Sequence, residues 1–187
     1  VGHYYLLNNY NPGYFGNGAN AFTDTNANNT VFTVPPSSTR SIGDSLMEKN
    51  ISWKYYGDQW NNYVPDPYQL NYGAIGAKSD EYCNICNPFQ YDTSIMANAK
   101  IRKAHIQDTA DLYADIANGT LPAVSFVKPS GLVDGHPSSS KLDLFEGFSK
   151  KIVDAVKANP ELWKDTAILI TFDEGGGYYD SGFVQPL

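Results

Sequence analysis

The spacing of apolar residues near the start of the chain predicts a helix followed by a strand. Ser37, Ser38 and Thr39 offer an N-cap, and three apolar positions then share one helical face: Ile42, Leu46 and Met47. Asn50 can end this helix, and residues 51–56 are predicted to form a strand. A helix that leads into a strand is half of a repeated α/β unit.

Two further units of the same kind follow. A helical period runs over about 99–117 and stops at Gly119, and an apolar strand is predicted at 121–127. The third unit has a helix at 142–158 and a continuous apolar strand at 166–172. Continuous apolar strands are typical of parallel sheets that are buried on both faces.

The three units together predict an α/β fold with a mainly parallel sheet flanked by helices. At 187 residues the chain is long enough for a single domain, which we expect to span 1–187. Two stretches lack a period: a Tyr- and Asn-rich loop at 1–36, and a segment at about 57–98. We interpret the first as an ordered loop and the second as an insertion that borders a site.

Charge and composition narrow the possible partners. The formal net charge of −7 argues against nucleic acid or an anionic membrane surface as a general partner. No apolar run approaches the roughly 20 residues that span a bilayer. Val1 is not an initiator methionine, so the sequence can begin inside a longer chain.

The two cysteines, Cys83 and Cys86, are three positions apart. A zinc site needs about four ligands, and two cysteines with three scattered histidines do not suggest one. A short-loop disulfide is the favoured interpretation and suits an oxidising compartment. A reduced pair near a turn is the alternative.

The strongest candidate for chemistry is the pair Asp173-Glu174, which directly follows the predicted strand at 166–172. Ligands of open parallel sheets bind at the carboxyl ends of the strands, and carboxylate oxygens suit hard divalent cations. The glycines at 175–177 would let the backbone turn sharply and approach a ligand. An acidic pair before a glycine-rich turn is also common in solvated loops, so the spacing leaves both interpretations open.

A second candidate is His136, in the segment Asp134-Gly135-His136-Pro137 that follows the strand at 121–127. Histidine can bind a metal, contact a phosphoryl group or protonate a leaving group near neutral pH. An ordinary surface histidine is the alternative. Lys128, at the end of the same strand, could hold an anion or simply be solvated. His3 and His105 are weaker candidates, because one lies at the chain end and the other in a helical stretch.

Four segments in order carry a resemblance to a known family: Asn50 to Gly57, Ser125 to Pro129, Asp134 to Pro137, and Thr171 to Asp180. They resemble the bacterial phosphoesterase family, which includes non-haemolytic phospholipases C and related acid phosphatases. The resemblance runs from about Ile42 to the C-terminus. The ordered set is far more specific than any one segment.

The resemblance implies an alkaline-phosphatase-like core, incomplete in this chain, and hydrolysis of phosphate esters, including phospholipids, outside the cell or in the periplasm. It implies that Asp173 and Glu174 bind a divalent metal ion and that His136 contacts the phosphate or the leaving group. The family's early Glu-Asn metal motif has no counterpart here, and its nucleophile is expected upstream of Val1. We therefore expect this chain alone to be inactive.

A second class of function also fits the composition. The Tyr- and Asn-rich loops could form a non-catalytic extracellular binding module that contacts glycans or proteins, with the acidic pair serving only structure. The 14 tyrosines could equally be packing residues. An upstream Glu-Asn strand motif and a Ser or Thr just before Val1 would favour the enzyme.

Overall fold

The computed structural model of the protein describes residues 10–26, 32–72 and 81–175. At its centre lies a parallel sheet of three strands: β1 (Trp53–Gly57), β2 (Ile106–Asp108) and β3 (Val124–Lys128). Their order is β2-β1-β3, so β1 is central. The prediction of an α/β fold with a parallel sheet is confirmed.

Helices precede and follow each strand in the described residues. Before β2 they are α1 (Ile42–Glu48), α2 (Trp60–Tyr63), α3 (Thr93–Met96) and α4 (Ala99–His105), with 3-10 turns at Asn84–Cys86 and Pro88–Tyr91. After β2 they are α5 (Thr109–Asn118), α6 (Leu142–Lys157) and α7 (Pro160–Trp163). The part of the insertion that the structure describes therefore contains short helical turns, where the sequence shows no period.

The central strand β1 explains why both faces of the sheet are covered. Successive strand residues point to opposite faces. Trp53 and Tyr55 pack on one face in a cluster that includes residues from α1 and from the insertion, among them two from α3: Leu46, Phe89, Ile95 and Met96. Tyr56 packs on the other face against residues from α5 and α6: Leu112, Ile116 and Val156.

The first helix begins later than its sequence suggests. Ser41, rather than the predicted Ser37, Ser38 or Thr39, is the N-cap of α1, and it forms a capping box with Asp44. The carboxylate of Asp44 accepts a hydrogen bond from the Ser41 backbone N–H at 2.8 Å. Asn50 has a positive φ of 55°, which fits its predicted place at the end of the helix.

The single helix predicted at about 99–117 is wrong, because β2 divides it into α4 and α5. Ile106 is 2% exposed and pairs with Tyr55 in the sheet, while Asp108 is the N-cap of α5. The apolar period runs through this break, so a local pattern cannot reveal a three-residue strand that is stabilised by its neighbour. The predicted stop at Gly119 is confirmed by its left-handed φ of 68°.

The strand predicted at 166–172 is also wrong, since the structure assigns no strand there and, among the residues it describes, pairs β3 only with β1. Leu169 is 87% exposed and Phe172 is 61% exposed. An apolar run favours burial but becomes a strand only where a neighbour offers backbone partners. Asp173 and Glu174 therefore follow an irregular segment, and the predicted placement at a strand end is corrected.

The predicted disulfide is confirmed, because Cys83 and Cys86 are bonded, with their Cα atoms 5.2 Å apart. The nearby Gln90 is completely buried. Its amide donates to the Tyr14 carbonyl at 2.9 Å and to the Tyr63 hydroxyl at 2.6 Å. The bond to Tyr14 joins the insertion to the N-terminal loop, and the bond to Tyr63 ties two parts of the insertion together.

A polar network crosses the sheet face beneath α5. The Lys54 ammonium and the Tyr56 hydroxyl both donate to Oδ2 of Asp115, each at 2.6 Å. The Thr120 hydroxyl donates to Oδ1 at 2.8 Å. Burial acts to raise the pKa of Asp115, but the hydrogen bonds from Lys54, Tyr56 and Thr120 outweigh it and hold the pKa below its ordinary value.

We expect this network to make stability depend on pH in acid. Because the folded pKa of Asp115 lies below the unfolded value of about 3.9, its stabilisation is present above that value and is lost as pH falls through the folded pKa. Urea unfolding should show Asp115→Asn less stable than wild type at pH 7, with a smaller difference near pH 2.5. A difference that does not narrow in acid would contradict this. Asp154→Asn, which removes an exposed ion pair, should change stability by less than about 0.5 kcal/mol at either pH.

Candidate functional site

The three strands end on one line across the sheet. The register pairs Gly57 with Asp108 on one side and with Lys128 on the other. Because all three strands are parallel, the residues that follow these positions lie along one edge. This edge, formed by the carboxyl ends of β1, β2 and β3, is the location where ligands of open parallel sheets gather.

Asp58 connects all three strand ends. It follows β1, and its carboxylate accepts hydrogen bonds from the Thr109 hydroxyl after β2 at 2.9 Å and from the Ser130 hydroxyl after β3 at 2.6 Å. The Ser130 backbone N–H also donates to it at 3.3 Å, and the Asp58 N–H donates to the Lys128 carbonyl at 3.0 Å. Ser130 is completely buried. Asp58 therefore fixes the start of the loop that carries His136.

Lys128, at the end of β3, has a carboxylate partner. Its ammonium lies 3.7 Å from Oδ2 of Asp134. Burial lowers the pKa of Lys128, and the carboxylates of Asp134, Asp173 and Asp58 oppose this effect. An ammonium paired with Asp134 is poorly placed to hold an anion, so the structure favours a role in holding Asp134.

His136 lies at the surface of the loop after β3. Its backbone N–H donates to Oδ1 of Asp134 at 2.9 Å, which links the histidine through Asp134 to Lys128. On the imidazole, Nδ1 accepts from the Ser138 N–H at 3.3 Å and lies 2.8 Å from the Ser138 hydroxyl. The ring is exposed, beside a surface groove of about 470 Å³ lined by residues between Pro137 and Leu144.

Asp173 and Glu174 are both exposed at the end of the irregular segment. The Glu174 N–H donates to Oδ1 of Asp173 at 2.9 Å. The charge of Asp173 acts on Lys128, so Asp173 lies near the end of β3, on the edge that carries the His136 loop. Within 10–26, 32–72 and 81–175, the structure contains no cluster of three or more metal-ligating side chains. Of the predicted glycine turn, Gly176 and Gly177 lie outside the described residues.

The other histidines have different surroundings. His105 stacks on Trp53 with ring centroids 4.3 Å apart, and its Nδ1 lies 2.8 Å from the Trp53 carbonyl oxygen. These contacts place His105 against the core. His3 lies outside the described residues.

Sequence reasoning missed Asp58, Thr109 and Ser130. A usable signal was present, since each is a polar residue within two positions of a strand end. For Thr109 it was hidden, because β2 was interpreted as part of a helix. Ser130 and Asp58 could have been found by asking which side chains meet where parallel strands end.

Comparison with known proteins assigns the chain to a family. The phosphoesterase family matches residues 3–186, nearly the whole length. The chain belongs to the phosphoesterase family. The resemblance seen in the four segments is thus confirmed.

Individual relatives are acid phosphatases and phospholipases C. The acid phosphatase of Aspergillus niger is 30% identical over 152 residues, which cover 80% of this chain and 34% of the relative. Phospholipase C B of Mycobacterium tuberculosis is 30% identical over 146 residues, 75% of this chain and 25% of the relative. The non-hemolytic phospholipase C of Pseudomonas aeruginosa is 26% identical over 139 residues, 73% of this chain and 18% of the relative.

The names of these relatives, acid phosphatase and phospholipase C, agree with the predicted class of phosphate-ester hydrolase at the level of the family. They do not support the alternative of a non-catalytic binding module. The relatives are fungal as well as bacterial, so the family is not limited to bacteria. The chain spans about a third or less of the length of these relatives. Among the described helices, none is long and apolar enough to cross a membrane.

Proposed function

We propose that the intact protein is a metal-dependent phosphoesterase that hydrolyses phosphate monoesters or the head-group ester of phospholipids. The observation that supports this most strongly is the family match over residues 3–186, with relatives named acid phosphatase and phospholipase C. In this proposal the nucleophilic Ser or Thr belongs to the intact protein. The 187 residues alone, acting as one α/β domain, are expected to be inactive.

The proposed metal ligands are Asp173 and Glu174. Their chemistry fits a hard divalent cation, because both supply carboxylate oxygens and both are exposed. Two carboxylates leave most coordination positions open, so water, substrate or residues outside the described part would complete the set. When bound, the cation would neutralise charge on a phosphoryl oxygen.

The proposed role of His136 is to contact the phosphate or the leaving group. Its exposed ring is free to reach a substrate, while Asp134 holds its backbone and Lys128 holds Asp134. Asp58 fixes the start of the same loop through Ser130. This part of the chain would thus position a polar contact at the carboxyl edge of the sheet.

We also propose that the intact protein works outside the cell or in the periplasm. The Cys83–Cys86 disulfide supports an oxidising compartment, because disulfides persist there and are rare in the cytosol. Alkylation of the purified protein without reductant, followed by mass measurement, tests whether the bond is formed.

The proposed function is tested by assaying the intact protein on p-nitrophenyl phosphate and on phosphatidylcholine vesicles, before and after treatment with EDTA. We expect release of nitrophenol or phosphocholine, loss of activity with EDTA, and recovery when Mg²⁺, Mn²⁺, Ca²⁺ or Zn²⁺ is restored. Absence of hydrolysis of both substrates would overturn the function. Full activity after EDTA, with metal analysis showing that no metal remains, would overturn the metal dependence alone.

A further inference from the structure

The hydrogen bonds around His136 determine which imidazole nitrogen carries the proton when the ring is neutral. In a neutral imidazole one nitrogen is a donor and the other an acceptor. A backbone N–H can only donate. The Ser138 N–H points at Nδ1 over 3.3 Å, so Nδ1 must present its lone pair and the proton must be on Nε2.

The Ser138 hydroxyl strengthens this preference. Its oxygen lies 2.8 Å from the same Nδ1, and a hydroxyl can rotate to donate. If Nδ1 carried the proton, the Ser138 hydroxyl could accept a hydrogen bond from Nδ1–H. The Ser138 backbone N–H, however, would then point at that hydrogen instead of at a lone pair. The two Ser138 groups therefore both favour a lone pair on Nδ1.

Hydrogen bonds to the backbone of His136, at both its carbonyl and its N–H, hold the turn that contains Ser138 in place. The His136 carbonyl accepts from the Ser139 N–H at 3.1 Å and the Ser140 N–H at 2.8 Å. The His136 N–H donates to the carboxylate of Asp134. Ser138 cannot easily move from Nδ1 without breaking these bonds.

We propose that Ser138 is a positioning residue that holds neutral His136 in the tautomer protonated on Nε2. His136 then meets a phosphate ester as a hydrogen-bond donor through Nε2, and not as a lone-pair ligand for a metal ion through that atom. This inference deepens the role of His136 and rests on the proposed function for its relevance to catalysis.

The tautomer is measured directly by long-range ¹H–¹⁵N correlation spectra of the intact protein labelled with ¹⁵N-histidine. The spectra are recorded near pH 8.5, where histidine of ordinary pKa is neutral, and the His136 signals are assigned by their loss in His136→Gln. We expect a pyridine-type Nδ1 and a pyrrole-type Nε2. A pyrrole-type Nδ1, or averaged shifts from an equal mixture, would overturn the proposal.

Three variants test the contribution of Ser138 itself. Ser138→Ala removes the hydroxyl but keeps the N–H, so the Nδ1 resonance should move toward that of a nitrogen without hydrogen bonds. Ser138→Thr keeps both donors and should restore the wild-type resonance, while Ser139→Ala is the matched control and should leave it unchanged. An Nδ1 resonance that is the same in Ser138→Ala and wild type would refute the contribution of the Ser138 hydroxyl.

Activity measurements on variants distinguish a failure of this proposal from a failure of the proposed function. Full phosphoesterase activity in His136→Gln would remove His136 from catalysis, whatever the spectra show. If His136 does act, Ser138→Ala should lower kcat by about threefold to tenfold with KM little changed, and Ser138→Thr should recover most of the loss. An unchanged kcat in Ser138→Ala, alongside a large loss in His136→Gln, would overturn positioning by Ser138.

Discussion

Asp173→Asn in the intact protein is expected to lower kcat/KM for a phosphate ester by about a thousandfold. A bound cation that stabilises charge on a phosphoryl oxygen contributes several kcal/mol, and about 4 kcal/mol corresponds to about a thousandfold. Asparagine keeps the shape of the side chain but supplies a neutral, weaker ligand. Steady-state kinetics together with the metal content of the purified protein measure the effect, and Glu174→Gln should behave similarly.

The matched control for this experiment is Asp165→Asn. Asp165 is an exposed carboxylate eight positions earlier, just before the irregular segment. Its replacement changes the net charge by the same amount and should leave kcat/KM and metal content within about twofold of wild type. Full activity in Asp173→Ala or Glu174→Ala would eliminate the metal-ligand assignment.

The largest effect on stability is expected for Asp58→Ala, which should lower the free energy of unfolding by about 2–4 kcal/mol. The substitution leaves the buried Ser130 hydroxyl and N–H without their acceptor, and leaves the Thr109 hydroxyl only its longer 3.5 Å hydrogen bond to Asp108. Each buried polar group that loses its partner costs about 1–3 kcal/mol. Urea unfolding followed by far-UV circular dichroism measures the loss as a lower midpoint.

Two variants support the interpretation of Asp58→Ala. Asp58→Asn keeps one acceptor oxygen and should lose about half as much stability. Asp154→Ala removes an exposed carboxylate paired with Lys150 and should cost less than about 0.5 kcal/mol. Equal stability of Asp58→Ala and wild type would show that Asp58 does not hold the strand ends together.

Several features were predictable from the sequence because they depend on neighbours along the chain. The helix of the third unit was correct to within one residue, since its apolar positions repeat over four turns. Gly119 ends α5 because glycine adopts a left-handed conformation at low cost. The disulfide was favoured because two cysteines and three scattered histidines do not suggest a zinc site, and the bond is present.

Strand identity was less predictable, because a strand is defined by its pairing. The short strand β2 was interpreted as helix, whereas the strongly apolar run at 166–172 is exposed and unpaired in the described structure. The apolar character of a segment indicates that its side chains favour burial. It does not indicate which neighbouring strand will hydrogen-bond with its backbone.

The candidate site likewise combines features that the sequence predicts with contacts that only the tertiary structure shows. The sequence alone predicted Asp173, Glu174 and His136 as candidate site residues, and its ordered segments indicated the phosphoesterase family, since residue type and order need no coordinates. The tertiary structure decided that Asp58 joins Thr109 and Ser130, 51 and 72 positions away. It also decided that Asp134 pairs with Lys128. These contacts exist because the register of three parallel strands ends them on one line, and residues far apart in the chain meet only when that register forms.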